Sequence, residues 1–446
     1  MKICVINGSP RGKNSVTLQT MLYLEKRFPA HEFDFLNVGA GIQSFERDMS
    51  GAVEAIRSAR LLLFSYPVYT FLVPSQLHRF IELMKRSGAD FRDIYVSQLS
   101  TSMHFYDITA HRFIEDNCHD MGMHVIHGLS AGMEDLLSPQ GQQDADNFLR
   151  YLVHCVENGI YEPAPPLRPT PAAPYVQSLE PGVKEEGFDT VIVGDLREGD
   201  ESLRAMIKDF TALYPYKTRF VNIGDFDFKG GCLGCFGCTA SGKCVYKDGF
   251  DSLLRNSIQN ADATVYAFTI RDHSMGSRFK MFDDRQFCNG HRTLTEGKSV
   301  AYIVNGDYQQ EENLRTLLEA RAQVAHNFLA GVGWDLPSME AAAKRLSYSL
   351  EHKYVQPRNF YGVGGMKIFR DLIYVMRGLM KADHKFYKKH GVYDFPQKQR
   401  GRMLFIMLIG GLASNPKMQK KMGNKMNEGM LMPYKKVLEK ADTDGL

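Results

Sequence analysis

The sequence predicts an α/β protein with two doubly wound parallel sheets in tandem, each of strand order 2-1-3-4-5, and a helical C-terminal extension. Short apolar runs separated by helix-length segments support this prediction, because buried parallel strands need helical crossovers. Four runs precede a proline-rich stretch and four follow it. They begin at Lys2, Phe33, Leu61, Ile94, Thr190, Thr218, Thr264 and Val300.

The proline-rich stretch divides the chain. The segment EPAPPLRPTPAAPYVQSLEP begins at Glu162, and proline this dense favours an extended, semi-rigid connector. We therefore expect a first domain over residues 1–160, a linker over 161–182, a second domain over 183–336 and a basic, methionine-rich extension over 337–446. A helical appendage, a membrane-surface segment and a substrate lid are all open interpretations of the extension.

The two halves resemble each other. Phe35–Gly39 matches Phe220–Gly224 at an offset of 185 residues, and Leu61–Ser65 matches Thr264–Phe268 at an offset of 203. The difference of 18 residues falls on a stretch that contains four cysteines. This pattern predicts a tandem duplication in which the second copy carries a cysteine-rich insert.

Composition limits the function classes. Hydrophobic residues make up 44% of the 446 residues, charged residues make up 24%, and the net charge of +3 does not indicate nucleic-acid binding. The N-terminus MKICVINGSP lacks the features of a signal peptide. The longest apolar run, Met403–Ala413, has eleven residues, whereas a membrane span needs about 20. We expect a cytoplasmic protein without a membrane span.

The loop after the first strand reads Asn7-Gly-Ser-Pro-Arg-Gly-Lys-Asn-Ser15 and opens a helix. Its backbone N–H groups, hydroxyls and arginine suit a phosphate group, although an ordinary capped turn has a similar composition. It is neither a Walker A loop nor a G-x-G-x-x-G fingerprint. The loop after the third strand adds Tyr66 and Tyr69, which suit a flavin ring or plain core packing. Both loops, with Ser100–Tyr106 after the fourth strand, meet at the switch point of such a sheet.

These motifs resemble the NADPH-dependent FMN reductases of flavodoxin-like fold over about residues 1–155. The shared features are G-S-P-R-x-x-N-S, P-V-Y and a following Pro-x-x-Leu-x-x-Phe. The resemblance implies FMN bound by a phosphate loop that comprises Gly8, Ser9, Pro10, Arg11, Asn14, Ser15 and Thr17. It implies flavin contacts from Pro67, Val68 and Tyr69. A third wall would come from Ser100, Thr101, Ser102 and His104, where the family usually has small residues and glycine.

Four cysteines lie within thirteen residues of the second half. Their spacing is Cys232-x-x-Cys235-x-x-Cys238, then five residues and Cys244. Four thiolates form the ligand set of a [4Fe–4S] cluster, and structural zinc or free thiols are the alternatives. The segment resembles the compact cysteine motif of the iron–sulfur flavoproteins, at the same point after strand 2. The first turn of this half carries Asp195, Glu198, Asp200 and Glu201, and such charge disfavours a second FMN.

The resemblance implies an enzyme in which NAD(P)H, a transient donor, reduces FMN and a [4Fe–4S] cluster passes electrons to a small-molecule or protein acceptor. A non-enzymatic electron carrier between protein partners is the alternative. Flavin chemistry supports both, because the cofactor exchanges one or two electrons. No catalytic residue is identified from the sequence, nucleic acid is not expected as a partner, and a homodimer is left open.

Overall fold

The computed structural model describes residues 1–166, 173–413, 431–432, 434–435 and 437–438. Residues 167–172 of the predicted linker lie outside this set. The chain groups into two units, Met1–Phe386 and Tyr387–Leu446, and both sheets belong to the first. Among the described residues, no helix is long and apolar enough to cross a membrane.

The first sheet is parallel and has the order β2-β1-β3-β4-β5, with β6 also paired to β4. Apolar side chains of β1, β3 and α1 form its core, including Ile3, Val5, Met21 and Leu63. The strands are β1 Lys2–Asn7, β2 Glu32–Leu36, β3 Leu61–Pro67, β4 Tyr95–Ser102, β5 His124–Val125 and β6 Leu129–Gly132. The helices are α1 Val16–Arg27, α2 Val38–Arg47, α3 Ser50–Ser58, α4 Ser75–Arg86, α5 Asp107–Asp120 and α6 Pro139–Asn158.

The second sheet has the equivalent order β8-β7-β9-β10-β11 and is also parallel. Its core includes Met339 and Leu346 of α12, beyond the predicted domain end at residue 336, because this helix covers the sheet. The strands are β7 Glu185–Gly194, β8 Tyr216–Asn222, β9 Ala263–Thr269, β10 Ser299–Asn305 and β11 Phe328–Gly333. The helices are α7 Glu201–Leu213, α8 Gly237–Ser241, α9 Phe250–Ser252, α10 Gly276–Arg285, α11 Glu312–Ala325 and α12 Leu336–Glu351.

Helices follow the second sheet, as expected for the extension. They are α13 Phe360–Val375, α14 Lys381–Lys389 and α15 Arg400–Ala413. The fold is thus α/β and flavodoxin-like in both sheets, with a helical C-terminal region.

Strand register corrects one of the two sequence offsets. In the first sheet, Ile6 pairs with Leu36 on one side and with Phe64 on the other. In the second sheet, Val193 pairs with Val221 and with Tyr266 in the same way. Aligning Leu36 with Val221 therefore aligns Phe64 with Tyr266, which are 202 positions apart. The sequence match gave 203. An apolar sequence fits a buried strand in either of two alignments that differ by one residue. Pairing with the neighbouring strands selects one of these alignments. The duplication itself stays a prediction.

Helices α4 and α10 join the halves through two reciprocal hydrogen bonds. The Ser75 N–H donates to Asp284 Oδ2 at 2.8 Å, and the Ser277 N–H donates to Glu82 Oε1 at 2.8 Å. The two serines, like the two carboxylates, are 202 positions apart. Each carboxylate thus sits at the N-terminus of the other helix, as in a two-fold interface between separate subunits.

Candidate functional site

The loop after β1 is shaped by its own side chains. Asn7 Nδ2 donates to the Gly12 carbonyl at 3.1 Å, and Asn7 Oδ1 accepts from the Ser9 N–H at 3.2 Å. Ser15 caps α1 by accepting the Leu18 N–H. A Cβ at Gly39 would lie 2.3 Å from the Ser9 backbone, so α2 packs directly on the loop. The turn is therefore rigid and ends at a helix N-terminus, where an anion is favoured.

The carboxyl ends of β1, β3 and β4 open into one cavity of about 910 Å³. Nine of the predicted cofactor residues line it. They are Ser9, Arg11, Ser15, Thr17, Pro67, Val68, Tyr69, Thr101 and Ser102. Pro10 and Asn14 line an adjoining surface pocket together with Arg11, Ser15 and Cys235.

The other three predicted residues line neither the cavity nor the adjoining pocket. The Gly8 N–H donates to the Ser65 carbonyl at 2.9 Å and holds the turn on β3. Ser100 is buried within β4 and shares a 2.8 Å hydrogen bond with His111 Nε2. His104 Nδ1 lies 3.1 Å from Asp107 Oδ2, outside the cavity wall.

Of the two tyrosines noted after the third strand, only Tyr69 lines the cavity. Tyr66 is fully buried, and its hydroxyl donates to Gln98 Oε1 at 2.6 Å. Core packing is therefore the correct interpretation for Tyr66. The reason is its place within β3, whereas Tyr69 comes after the strand has ended and reaches the switch point.

The Tyr69 loop is held in place by the other half of the chain. Thr70 and Phe71 have positive φ angles of 42° and 74°, a conformation that costs free energy in non-glycine residues. Lys280 Nζ donates to the Tyr69 carbonyl at 2.9 Å and to Thr70 Oγ1 at 2.6 Å, and pairs with Asp284. Both charged residues are fully buried on α10. The second half thus fixes the shape of the first half's loop.

The cysteine segment lies on the same cavity. Cys232, Cys235, Cys238 and Cys244 all line it. A Cβ at Gly234, whose φ is +61°, would lie 1.9 Å from Tyr69 Oη, so only glycine permits this approach. Gln76 Nε2 also donates to the Cys232 carbonyl at 3.3 Å. The chain therefore brings the two predicted motifs together, although about 160 residues separate them.

Solvent exposure differs among the four thiols: Cys235 is exposed, and the other three are partly buried. Burial, with a smaller contribution from neighbouring cysteines, raises the pKa of Cys232 to about 12 and that of Cys238 to about 11. Cys238 Sγ donates to the Phe287 carbonyl at 3.1 Å. Within the part of the chain that the structure describes, no three His, Cys, Asp or Glu side chains converge as ligands of one metal ion.

The equivalent turn of the second half is occupied by ion pairs. Asp195 is buried, and Arg197 Nη2 donates to its carboxylate at 2.9 Å. Arg271 Nη2 donates to Asp200 Oδ1 at 2.8 Å. Arg278 donates to three carbonyls of the segment after β8. The arginines here are paired with the chain's own carboxylates.

Sequence reasoning missed the residues of α10 that contact the site. Lys280 and Asp284 hold the Tyr69 loop, and Arg285 contacts the cysteine segment. The sequence signal was weak: charged residues recur at helical spacing in a segment that reads as an exposed helix. Their burial becomes visible only when the two halves are packed together.

Comparison with known proteins gives matches to part of the chain. Residues 1–133 match the family model of NADPH-dependent FMN reductases. An iron-sulfur flavoprotein of Archaeoglobus fulgidus is 29% identical over 173 residues, which are 36% of this chain and 78% of that protein.

Solved structures with low identity also match. An FMN-dependent NADH-azoreductase from Bacillus anthracis in complex with FMN is 13% identical, covering 35% of this chain and 99% of its own, with a TM-score of 0.28. An NAD(P)H:quinone oxidoreductase from Methanothermobacter marburgensis is 14% identical, covering 36% and 97%, with a TM-score of 0.27.

Proposed function

We propose that this chain is an FMN-dependent NAD(P)H oxidoreductase, because residues 1–133 match the family model of NADPH-dependent FMN reductases. Its second half would hold a [4Fe–4S] cluster that passes electrons to an acceptor. The observation that carries the proposal is the contact between Gly234 of the cysteine segment and Tyr69 of the predicted flavin loop, in the wall of one cavity.

The cavity fits FMN in size and chemistry. Its volume of about 910 Å³ lies within the usual range for small-molecule and cofactor sites. Ser9, Ser15 and the N-terminus of α1 would hold the phosphate, and Arg11 would add a positive charge. Pro67, Val68 and Tyr69 would contact the flavin ring. FMN, when bound, supplies the exchange of one or two electrons.

The cysteine spacing favours an iron–sulfur cluster over a single zinc ion, because structural zinc typically uses two well-separated C-x-x-C pairs. Each thiolate of a [4Fe–4S] cluster binds a different iron, so the sulfurs surround a volume and do not converge on one point. Cys232, Cys235, Cys238 and Cys244 all line one cavity, which supports a shared cofactor for the four thiols. Their raised pKa values mean that metal binding must release protons.

The direct test is reduction of the purified protein without oxygen. We expect a yellow protein whose flavin absorption bleaches when NADH or NADPH is added. A protein that carries FMN but is bleached by neither nucleotide, while dithionite still reduces it, would support an electron carrier without a nicotinamide site. A colourless protein that takes up no added FMN would contradict the proposal.

A further inference from the structure

A buried arginine fastens the cysteine segment. Arg285 is the last residue of α10 and is 1% exposed. Its Nη1 donates to the Gly230 carbonyl at 3.0 Å, and its Nη1 and Nη2 donate to Asp248 at 2.8 and 2.9 Å. Gly230 lies just before Cys232, and Asp248 lies just after Cys244. One guanidinium therefore holds both ends of the segment.

Aromatic rings enclose this guanidinium. Its carbon lies 4.4 Å from the ring centroid of Tyr246 and 4.9 Å from that of Phe250. Burial lowers the pKa of Arg285, but the hydrogen bonds to Asp248 and the charge of the Cys244 sulfur raise it, and the net shift is upward. The group therefore remains a cation in a site with little water, where its hydrogen bonds are strong.

One nitrogen of the guanidinium, Nε, takes no part in these hydrogen bonds. Arg285 Nε has no hydrogen-bond partner among the described residues, and an unsatisfied buried donor is destabilising. Arg285 and Cys244 line the same cavity, and a negative charge on the Cys244 sulfur favours the guanidinium cation. A neutral thiol does not complete the bond, whereas a thiolate with full negative charge is a stronger acceptor.

We propose that Arg285 is a positioning residue of the cysteine site, whose Nε–H donates to Cys244 when that sulfur is a metal-bound thiolate. This inference rests on the proposed cluster. A hydrogen bond to a ligand sulfur and a fixed cation both favour the more negative, reduced state. The reduction potential of the cluster should therefore be higher with Arg285 than without it.

The test compares Arg285→Lys with Arg278→Lys. Lysine keeps the charge but lacks the Nε–H and the planar fork. Arg278 lies on the same helix and donates to the carbonyls of Ile223, Gly224 and Phe226, away from the cavity wall. In redox titrations followed by electron paramagnetic resonance, we expect a lower cluster potential in Arg285→Lys and the wild-type potential in Arg278→Lys. An unchanged potential in a folded, iron-loaded Arg285→Lys would overturn the inference.

A second measurement needs no variant and covers the case in which Arg285→Lys does not fold. In wild-type protein grown with ¹⁵N-arginine, pulsed electron paramagnetic resonance of the reduced cluster should show a nitrogen coupling that changes with the label. Absence of any label-dependent coupling would overturn the inference. Wild-type protein without iron would instead contradict the proposed function, so the two failures are distinguishable.

Discussion

The turns after β1 and β7 hold the same place in their sheets but differ in charge and in what they contact. The first contains hydroxyls, backbone N–H groups and Arg11, and it lines a cavity. In the second, Asp195 and Asp200 bind the arginines around them. The shared topology creates a switch point in both halves, but side chains decide whether a phosphate group is favoured there.

The second half has its own role at the first half's cavity. Its cysteine segment lies against Tyr69, and its helix α10 holds the Tyr69 loop through Lys280. The arrangement resembles two subunits of a dimer in which one supplies the flavin loops and the other the cysteines.

Substitution of Cys238 by alanine should abolish the cluster and leave the flavin loops intact. We expect the variant to remain yellow and to be bleached by its nicotinamide donor in a single turnover, because only the flavin accepts a hydride. Electron transfer to a one-electron acceptor such as ferredoxin should collapse. Iron analysis and stopped-flow absorbance measure these effects.

The matched control is Cys288→Ala, which removes a buried thiol of the same cavity wall outside the motif. It should retain iron. Loss of flavin reduction in an FMN-loaded, folded Cys238→Ala would mean that electrons enter through the second half.

Substitution of Lys280 by methionine tests the link between the halves. It leaves the buried Asp284 carboxylate without its cation, which typically costs about 3–5 kcal/mol in the free energy of unfolding. The Tyr69 carbonyl and Thr70 also lose a donor, so FMN affinity should fall. Denaturant titration and flavin fluorescence quantify the two effects.

The control is Lys344→Met, which removes an exposed pair with Glu340 of the same helical spacing. This substitution should lower the free energy of unfolding by less than about 0.5 kcal/mol. Equal destabilisation by the two variants would show that the α10 pair does not secure the Tyr69 loop.

Charge reversal at equivalent turns separates the two halves directly. Arg11→Glu places a carboxylate beside the predicted phosphate site and should weaken FMN binding by roughly ten- to a hundredfold. Arg197→Glu breaks the pair with Asp195 in the second half and should lower stability without changing FMN affinity. Isothermal titration calorimetry of flavin-free protein measures the FMN affinity of both variants. Weaker FMN binding by Arg197→Glu would contradict the assignment of FMN to the first half.

The loops after β3 and β9 are equivalent, and we expect a pH-dependent contribution to the free energy of unfolding from the second. His273 corresponds to Phe71, 202 positions earlier, and both have positive φ. Burial opposes the charged form of His273, but Asp120 and Glu311 raise its pKa to about 9. Its contribution to stability is therefore complete below the unfolded pKa of about 6.5 and is lost as pH rises through 9.

We expect His273→Gln to remove this pH dependence, which should be on the order of 1–2 kcal/mol because Asp120 is partly exposed. Unfolding midpoints at pH 6.5 and pH 9 give the measurement, with the exposed His127→Gln as the control. An identical fall in stability for wild type and His273→Gln would contradict the assignment.

The sequence was informative where local chemistry determines structure. Alternating apolar runs and helices predicted both sheets, and the turn from Asn7 to Ser15 predicted the first cavity wall. Residues inside strands were harder to assign. Tyr66 and Ser100 lie within β3 and β4 and are fully buried, whereas Tyr69 and Ser102 lie at or beyond the strand ends and line the cavity.

The contacts between the halves could not be predicted from local pattern. Lys280 and Tyr69 are 211 positions apart, and nothing in the segment around Lys280 signals that its charge is buried. For a related reason, the sequence alignment of β3 with β9 differs by one residue from the alignment that strand pairing gives. Pairing with neighbouring strands fixes that alignment, and a single strand does not reveal it.

A joint count of FMN, iron, sulfide and zinc per chain, in protein purified without oxygen, tests whether each half of this chain holds a different cofactor around one cavity. We expect one FMN with about four iron and four sulfide per chain. Two FMN per chain, or zinc in place of iron, would contradict it.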